Sequence, residues 1–144
     1  MTRFFRMTVV AAALAASGSA LADDQDVIDY RKHVMKTIGE QVGAIQLILE
    51  NRVPADNLAV HLAVIAATAP QAKGAFTPEV AGGRSKPEVW ANWDDFSQRL
   101  DRFVAGAQEL AQAAQAGDAP AAAAKLPATL DCKGCHEAYR APAK

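Results

Sequence analysis

Cys132-Lys133-Gly134-Cys135-His136, running on into Glu137-Ala138-Tyr139-Arg140, stands close to the end of the 144-residue chain. Two cysteines three apart with a histidine directly after the second have the spacing of a c-type haem attachment site. On a helical turn both thiols can reach the two vinyl groups of one porphyrin and form thioethers. The next residue then projects its imidazole at the iron, where a protein tunes a haem most strongly. Three other chemistries use the same cysteines. A redox dithiol of the thioredoxin type needs a strand-to-helix context, and this part of the sequence offers no strand. A zinc site lacks its other half, since the chain has only 2 cysteines. A structural disulfide in an exported, haem-free helical module stays open as an alternative. The expectation is haem, anchored by Cys132 and Cys135 and ligated by His136.

The opposite end of the chain supplies the compartment. Arg3 and Arg6 precede an apolar run from Met7 to Ala16, and Ser17-Gly18-Ser19-Ala20-Leu21-Ala22 follows. A basic start, a short apolar stretch and an Ala-x-Ala site form a secretory leader, so cleavage is expected after Ala22. The apolar stretch is too short to span a bilayer, and no later one approaches that length. The expected product, residues 23–144, is a soluble periplasmic domain with 13 basic and 16 acidic residues. That balance argues against nucleic acid as a partner and suits one domain with one core. Heavy use of alanine favours helix.

Apolar periodicity divides this product into four helices. In the first, from Asp23 to about Leu49, the residues Ile28, Met35, Ile38, Val42, Ile45 and Leu49 form a bundle seam. Arg31 falls within that seam, where a charge is costly without a partner. It either meets a haem propionate or snorkels to solvent. A second helix is predicted from an Asp56 N-cap to about Ala69, buried through Leu58, Leu62, Ile65 and Ala69. His61 shares that face and reads as a core or boundary histidine rather than a ligand. Residues 70–86, punctuated by Pro70, Pro78 and Gly82-Gly83, are predicted to be irregular, with Phe76 a candidate to lie against a haem edge. Ser85-Lys86-Pro87-Glu88 then reads as a capping box. Beyond it Val89, Trp93, Phe96, Leu100, Phe103, Ala107, Leu110 and Ala114 alternate steps of four and three. Trp90 and Trp93 sit at its start, as core or as cofactor packing. Gly117 stops this helix, and Asp118 with Pro120 starts the fourth. Pro127 is expected to break the fourth helix, and residues 141–144 to fray.

A C-terminal attachment motif, four amphipathic helices and a leader together resemble the class II cytochromes c, the cytochrome c′ family with its low-spin His/Met relatives. The resemblance spans the whole of residues 23–144 and is most specific at Cys132–Arg140, at Ser85-Lys86-Pro87-Glu88-Val89-Trp90 and from Asp29 to Gly43. It implies an all-α, antiparallel up-down-up-down four-helix bundle with one covalent haem c. In the family one residue of the first helix faces the open side of the iron. Matching Arg31 and the Gly39/Gly43 run puts Met35 there. From the residues alone Met35 is a flexible core filler, although it is the one methionine left after leader cleavage. His33, about 200° round the helix from it, points elsewhere. The resemblance therefore implies a one-electron carrier with His136/Met35 ligation, not an enzyme, serving redox partner proteins. The alternative is a five-coordinate, high-spin cytochrome c′ that binds nitric oxide or carbon monoxide. A homodimer through the first two helices is a family habit that the sequence does not decide.

Overall fold

The computed structural model describes residues 23–143, so the expected leader, residues 1–22, lies outside it. The described residues form α1 (Asp24–Leu49), a 3-10 turn (Ala55–Asn57), α2 (Leu58–Phe76), α3 (Glu88–Ala91), α4 (Trp93–Gln115), α5 (Ala119–Thr129) and α6 (Cys132–Tyr139). α2 packs against both α1 and α4, and α4 packs against α5. With α3 leading into α4 and α5 into α6, this is the expected four-helix bundle. Short connections after α1 and α4 turn each helix back along its neighbour.

Local chemistry explains most of the boundaries. Asp23, Asp118 and Asp131 each accept a bond from a backbone N–H of the following turn, at 2.8, 3.0 and 3.1 Å. Each thereby satisfies a donor that the helix start leaves orphaned. Gly117 has φ +74 and carries the chain out of α4, as the sequence predicts.

Several boundaries differ from expectation. α2 does not end at Ala69 but continues to Phe76. Ala72 and Phe76 extend the steps of three and four begun by Leu62, Ile65 and Ala69, and all five are buried. Pro70 falls on the exposed face, so packing overrides it. Asp56 lies in the 3-10 turn instead of capping α2. The Ser85 capping box does not form, because the Ser85 hydroxyl faces Arg31 and Pro87 precedes the helix. The break in the last helix falls at Leu130 and Asp131, where the Asp131 cap restarts it, and Pro127 stays within α5. In α1 the buried residue near the end is Ile48, with Leu49 exposed, since a 3.6-residue turn drifts from a strict seven-residue repeat.

The core has two parts. Ile45, Leu62, Ile65, Ala69, Ala107, Leu110, Ala111, Ala122 and Leu126 fill one. Val34, Ile38, Ala72, Phe76, Val89, Phe96, Leu100 and Tyr139 fill the other, with Met35 and Cys135 packed against it. The second part holds the chemistry, and the first holds the bundle together. Leu110 is fully buried in the first. Leu110→Ala should therefore lower unfolding free energy by about 2–5 kcal/mol, read by urea denaturation, and leave the visible spectrum of the haem-loaded protein unchanged.

Candidate haem-binding site

α6 is only eight residues long and begins at Cys132. Its two cysteines are free, half-buried thiols one turn apart. Burial raises the pKa of both. The Asp131 charge adds to the effect at Cys132, whereas the Arg99 cation works against it at Cys135. His136 follows on the same turn. Burial lowers its pKa, and the charges of Arg140 and Arg84 lower it further. A neutral imidazole is the form that binds a metal.

Cys135 borders the same apolar cluster as Met35, which is half-buried on α1. Phe76, the last residue of α2, is buried in that cluster with its ring edge-on to Phe96 at 5.0 Å between centroids. Phe96 in turn meets the Tyr139 ring edge-on, again at 5.0 Å between centroids. The fold thus gathers Met35, Phe76 and Cys135, from three different helices, around one apolar cluster. His136 enters that side of the bundle on α6.

Arg31 is 4% exposed, so it does not snorkel. Its Nε donates to the Ala75 carbonyl at 3.2 Å. Its Nη1 donates to the Val80 carbonyl and to the Ser85 hydroxyl, both at 3.1 Å. The guanidinium lies over the rings of Phe76 and Trp90, 4.7 and 5.2 Å from their centroids. Trp90 Nε1 donates to the Phe76 carbonyl at 3.0 Å. Arg31 and Trp90 together satisfy carbonyls that the end of α2 leaves open. Among the described residues Arg31 Nη2 remains buried with no partner. A buried guanidinium N–H calls for an acceptor, and a haem carboxylate is an acceptor of that kind. The donor set of the site fits a haem: two thiols, an imidazole, an apolar wall and an orphaned cationic donor.

The crossover between α2 and α3 is fastened to the attachment segment as well. Lys86 N donates to the Tyr139 carbonyl at 3.0 Å, and Ala141 N donates to the Arg84 carbonyl at 2.8 Å. Arg84 Nε returns a bond to the Ala141 carbonyl, so Ala141 is tied down rather than frayed. Gly82 belongs to this segment because a Cβ there would lie 2.5 Å from Ile28 Cδ1, at a φ of +139.

His61 is not part of the site. Its Nδ1 pairs with Gln41 Oε1 at 2.8 Å at the start of α2, whereas Phe76 ends that helix. His33 is exposed. Among the described residues no group of three or more His, Cys, Asp or Glu side chains could hold a metal ion.

The profile of one family, described as cytochrome C′, matches residues 26–140. This chain belongs to the cytochrome c′ family. It is 36% identical over 126 residues to a cytochrome c′ of Pararhodospirillum photometricum, covering 83% of this chain and 99% of that protein. It is 32% identical over 116 residues to a cytochrome c-556 of Agrobacterium tumefaciens, covering 78% and 95%. Among solved structures, the nitrosyl complex of a cytochrome c prime variant from Alcaligenes xylosoxidans superposes with a TM-score of 0.77 at 27% identity, over 84% of this chain and 98% of that one. Membership brings one covalent haem c per chain. In the cytochrome c′ fold seen here, Arg31, Trp90 and Ser85 join the crossover to the first helix. Sequence reading singled out Arg31 and Trp90 but gave Ser85 a capping role. The signal it lacked is tertiary, because these partners lie 44 to 54 residues from Arg31.

Arg31→Ala would leave the Ala75 and Val80 carbonyls without their donor. The expected cost is about 3 kcal/mol or more, measured by urea denaturation of the haem-loaded protein. Arg31→Lys should recover under half of it, because an ammonium cannot reproduce the planar fork.

Proposed function

We propose that this member of the cytochrome c′ family is an exported one-electron carrier, with haem held through Cys132 and Cys135 and iron ligated by His136 and Met35. The observation that carries this reading is the position of Met35. It is the one methionine beyond the leader, and it is half-buried against the same apolar cluster as Cys135. A thioether bordering the cluster that Cys135 also borders supports this reading, and His/Met ligation raises the potential and suits electron transfer.

Bound haem supplies the one-electron redox chemistry, and the protein's own residues supply its surroundings. Val34, Ile38, Phe76, Val89 and Phe96 keep water out of the cluster, which lowers the local dielectric. Arg31 Nη2 would offer a propionate its buried donor, and Phe76 would form part of the apolar wall against the macrocycle. On this reading the role is carriage of electrons rather than catalysis. Residues 1–22 act as the leader, cleaved after Ala22. Among the described residues no helix is long and apolar enough to cross a membrane. Redox proteins are the partners on this reading.

The comparisons speak more for a second reading, gas binding at a five-coordinate iron. Structural neighbours of this chain are nitric oxide complexes of cytochrome c prime variants from Alcaligenes xylosoxidans, with TM-scores of 0.77 and identities of 26–27%. On that reading His136 is the sole protein ligand and Met35 lines an apolar pocket.

The optical spectrum of the reduced protein, taken before and after carbon monoxide, separates the two. Sharp low-spin bands that the gas leaves in place, and that Met35→Ala converts to a high-spin form, are the expected result. A broad high-spin spectrum that shifts at once with the gas would remove Met35 as ligand and put gas binding first.

A further inference from the structure

We infer that Asp95 and Arg99, on α4, form a positioning clamp that holds the haem-attachment helix on both sides of His136 and balances two opposite charges there, so that loss of either one moves the reduction potential. The two residues are spaced i,i+4, with Arg99 Nε donating to Asp95 Oδ2 at 2.7 Å. An i,i+4 pair on a half-exposed helix face is ordinarily a solvated pair of little worth. This one is not confined to its own helix. Arg99 Nη1 donates to the Gly134 carbonyl at 3.2 Å, inside the attachment motif. Asp95 Oδ2 also accepts the Tyr139 hydroxyl, and the guanidinium lies 5.8 Å from the centre of the Tyr139 ring.

Gly134 and Tyr139 bracket His136 in the sequence. One carboxylate–guanidinium pair therefore grips α6 two residues before the imidazole and three residues after it. α6 is eight residues long and separated from α5 by the Leu130–Asp131 break, and its far end is also held by Lys86, which donates to the Glu137, Ala138 and Tyr139 carbonyls. The pair also acts by charge. The Arg99 guanidinium sits at the Gly134 carbonyl, next in the chain to Cys135, and the Asp95 carboxylate sits beside it at the Tyr139 hydroxyl. An oxidised haem carries one more positive charge than a reduced one. A nearby cation therefore favours reduction, a nearby anion favours oxidation, and the intact pair largely cancels. Arg102 adds its own field at Asp95 and stays constant across the variants below.

The clamp rests on His136 as the iron ligand but not on Met35 as its opposite. The test is the reduction potential of haem-loaded Asp95→Asn, Arg99→Gln and the double variant, at low ionic strength. Asp95→Asn should raise the potential, Arg99→Gln should lower it, and the double variant should return towards the parent. Arg99→Lys keeps the charge without the fork. It should hold the potential near the parent value, while amide exchange across residues 132–139 becomes faster. Shifts of the same sign in both single variants would overturn the clamp, since a purely structural loosening has no reason to reverse sign. So would no shift at all. Should Asp95→Asn fold poorly, Tyr139→Phe removes one contact and no charge, and is expected to speed exchange and leave the potential in place; a shift as large as that of Arg99→Gln would count against the charge argument. The visible spectrum of His136→Ala, read alongside, tests the ligation separately. An unchanged spectrum there would remove His136 as the ligand and overturn the clamp with it, whatever the signs of the Asp95 and Arg99 shifts.

Discussion

A guanidinium buried in an apolar seam is the constraint around which the haem side of this bundle is arranged. Taking Arg31 out of water is expensive, and burial lowers its pKa from the ordinary arginine value. The fold offsets that cost with acceptors from the end of α2 and from the crossover, and with two aromatic faces. Because those acceptors are mostly backbone carbonyls, the crossover cannot drift without unpairing the cation. Phe76 and Trp90 are fixed by the same requirement. The crossover in turn pairs with the Tyr139–Ala141 segment, so the side chain on α1 is linked through two steps to the helix that carries the cysteines.

Why a charge occupies that place follows from what it still lacks. Its Nη2 is buried without an acceptor, a condition that a folded protein rarely tolerates unless another group completes it. A hydrophobic residue there would pack more cheaply, as replacements of buried ion pairs often do. Retaining arginine gives the apolar cluster one directional donor beside Phe76. Such a donor orients a planar, carboxylate-bearing cofactor in a way that shape alone does not.

Much of this was legible in the sequence. The attachment motif, the Asp118 cap, the Gly117 stop and the seam from Val89 to Ala114 all depend on short-range spacing, which a linear reading preserves. The errors share one cause. Pro70 was weighed as local punctuation, yet Ala72 and Phe76 carried the seam onwards, and burial of that face decided the matter. Ser85 has the sequence context of a cap, but a buried arginine competes for its hydroxyl. The Asp95–Tyr139 bond joins residues 44 apart, and nothing in either neighbourhood announces it. Polar pairs between helices have no period, whereas apolar seams do.

The division of the core into two clusters bears on how such a chain can change over generations. Ile45, Leu62, Ile65 and Leu110 belong to a cluster without a cysteine or a methionine, and substitutions there act on durability alone. Met35, Phe76 and Cys135 belong with the other, the one that the attachment motif borders. A lineage could therefore exchange one chemistry for the other within one end of the bundle while the remaining end stays as it was.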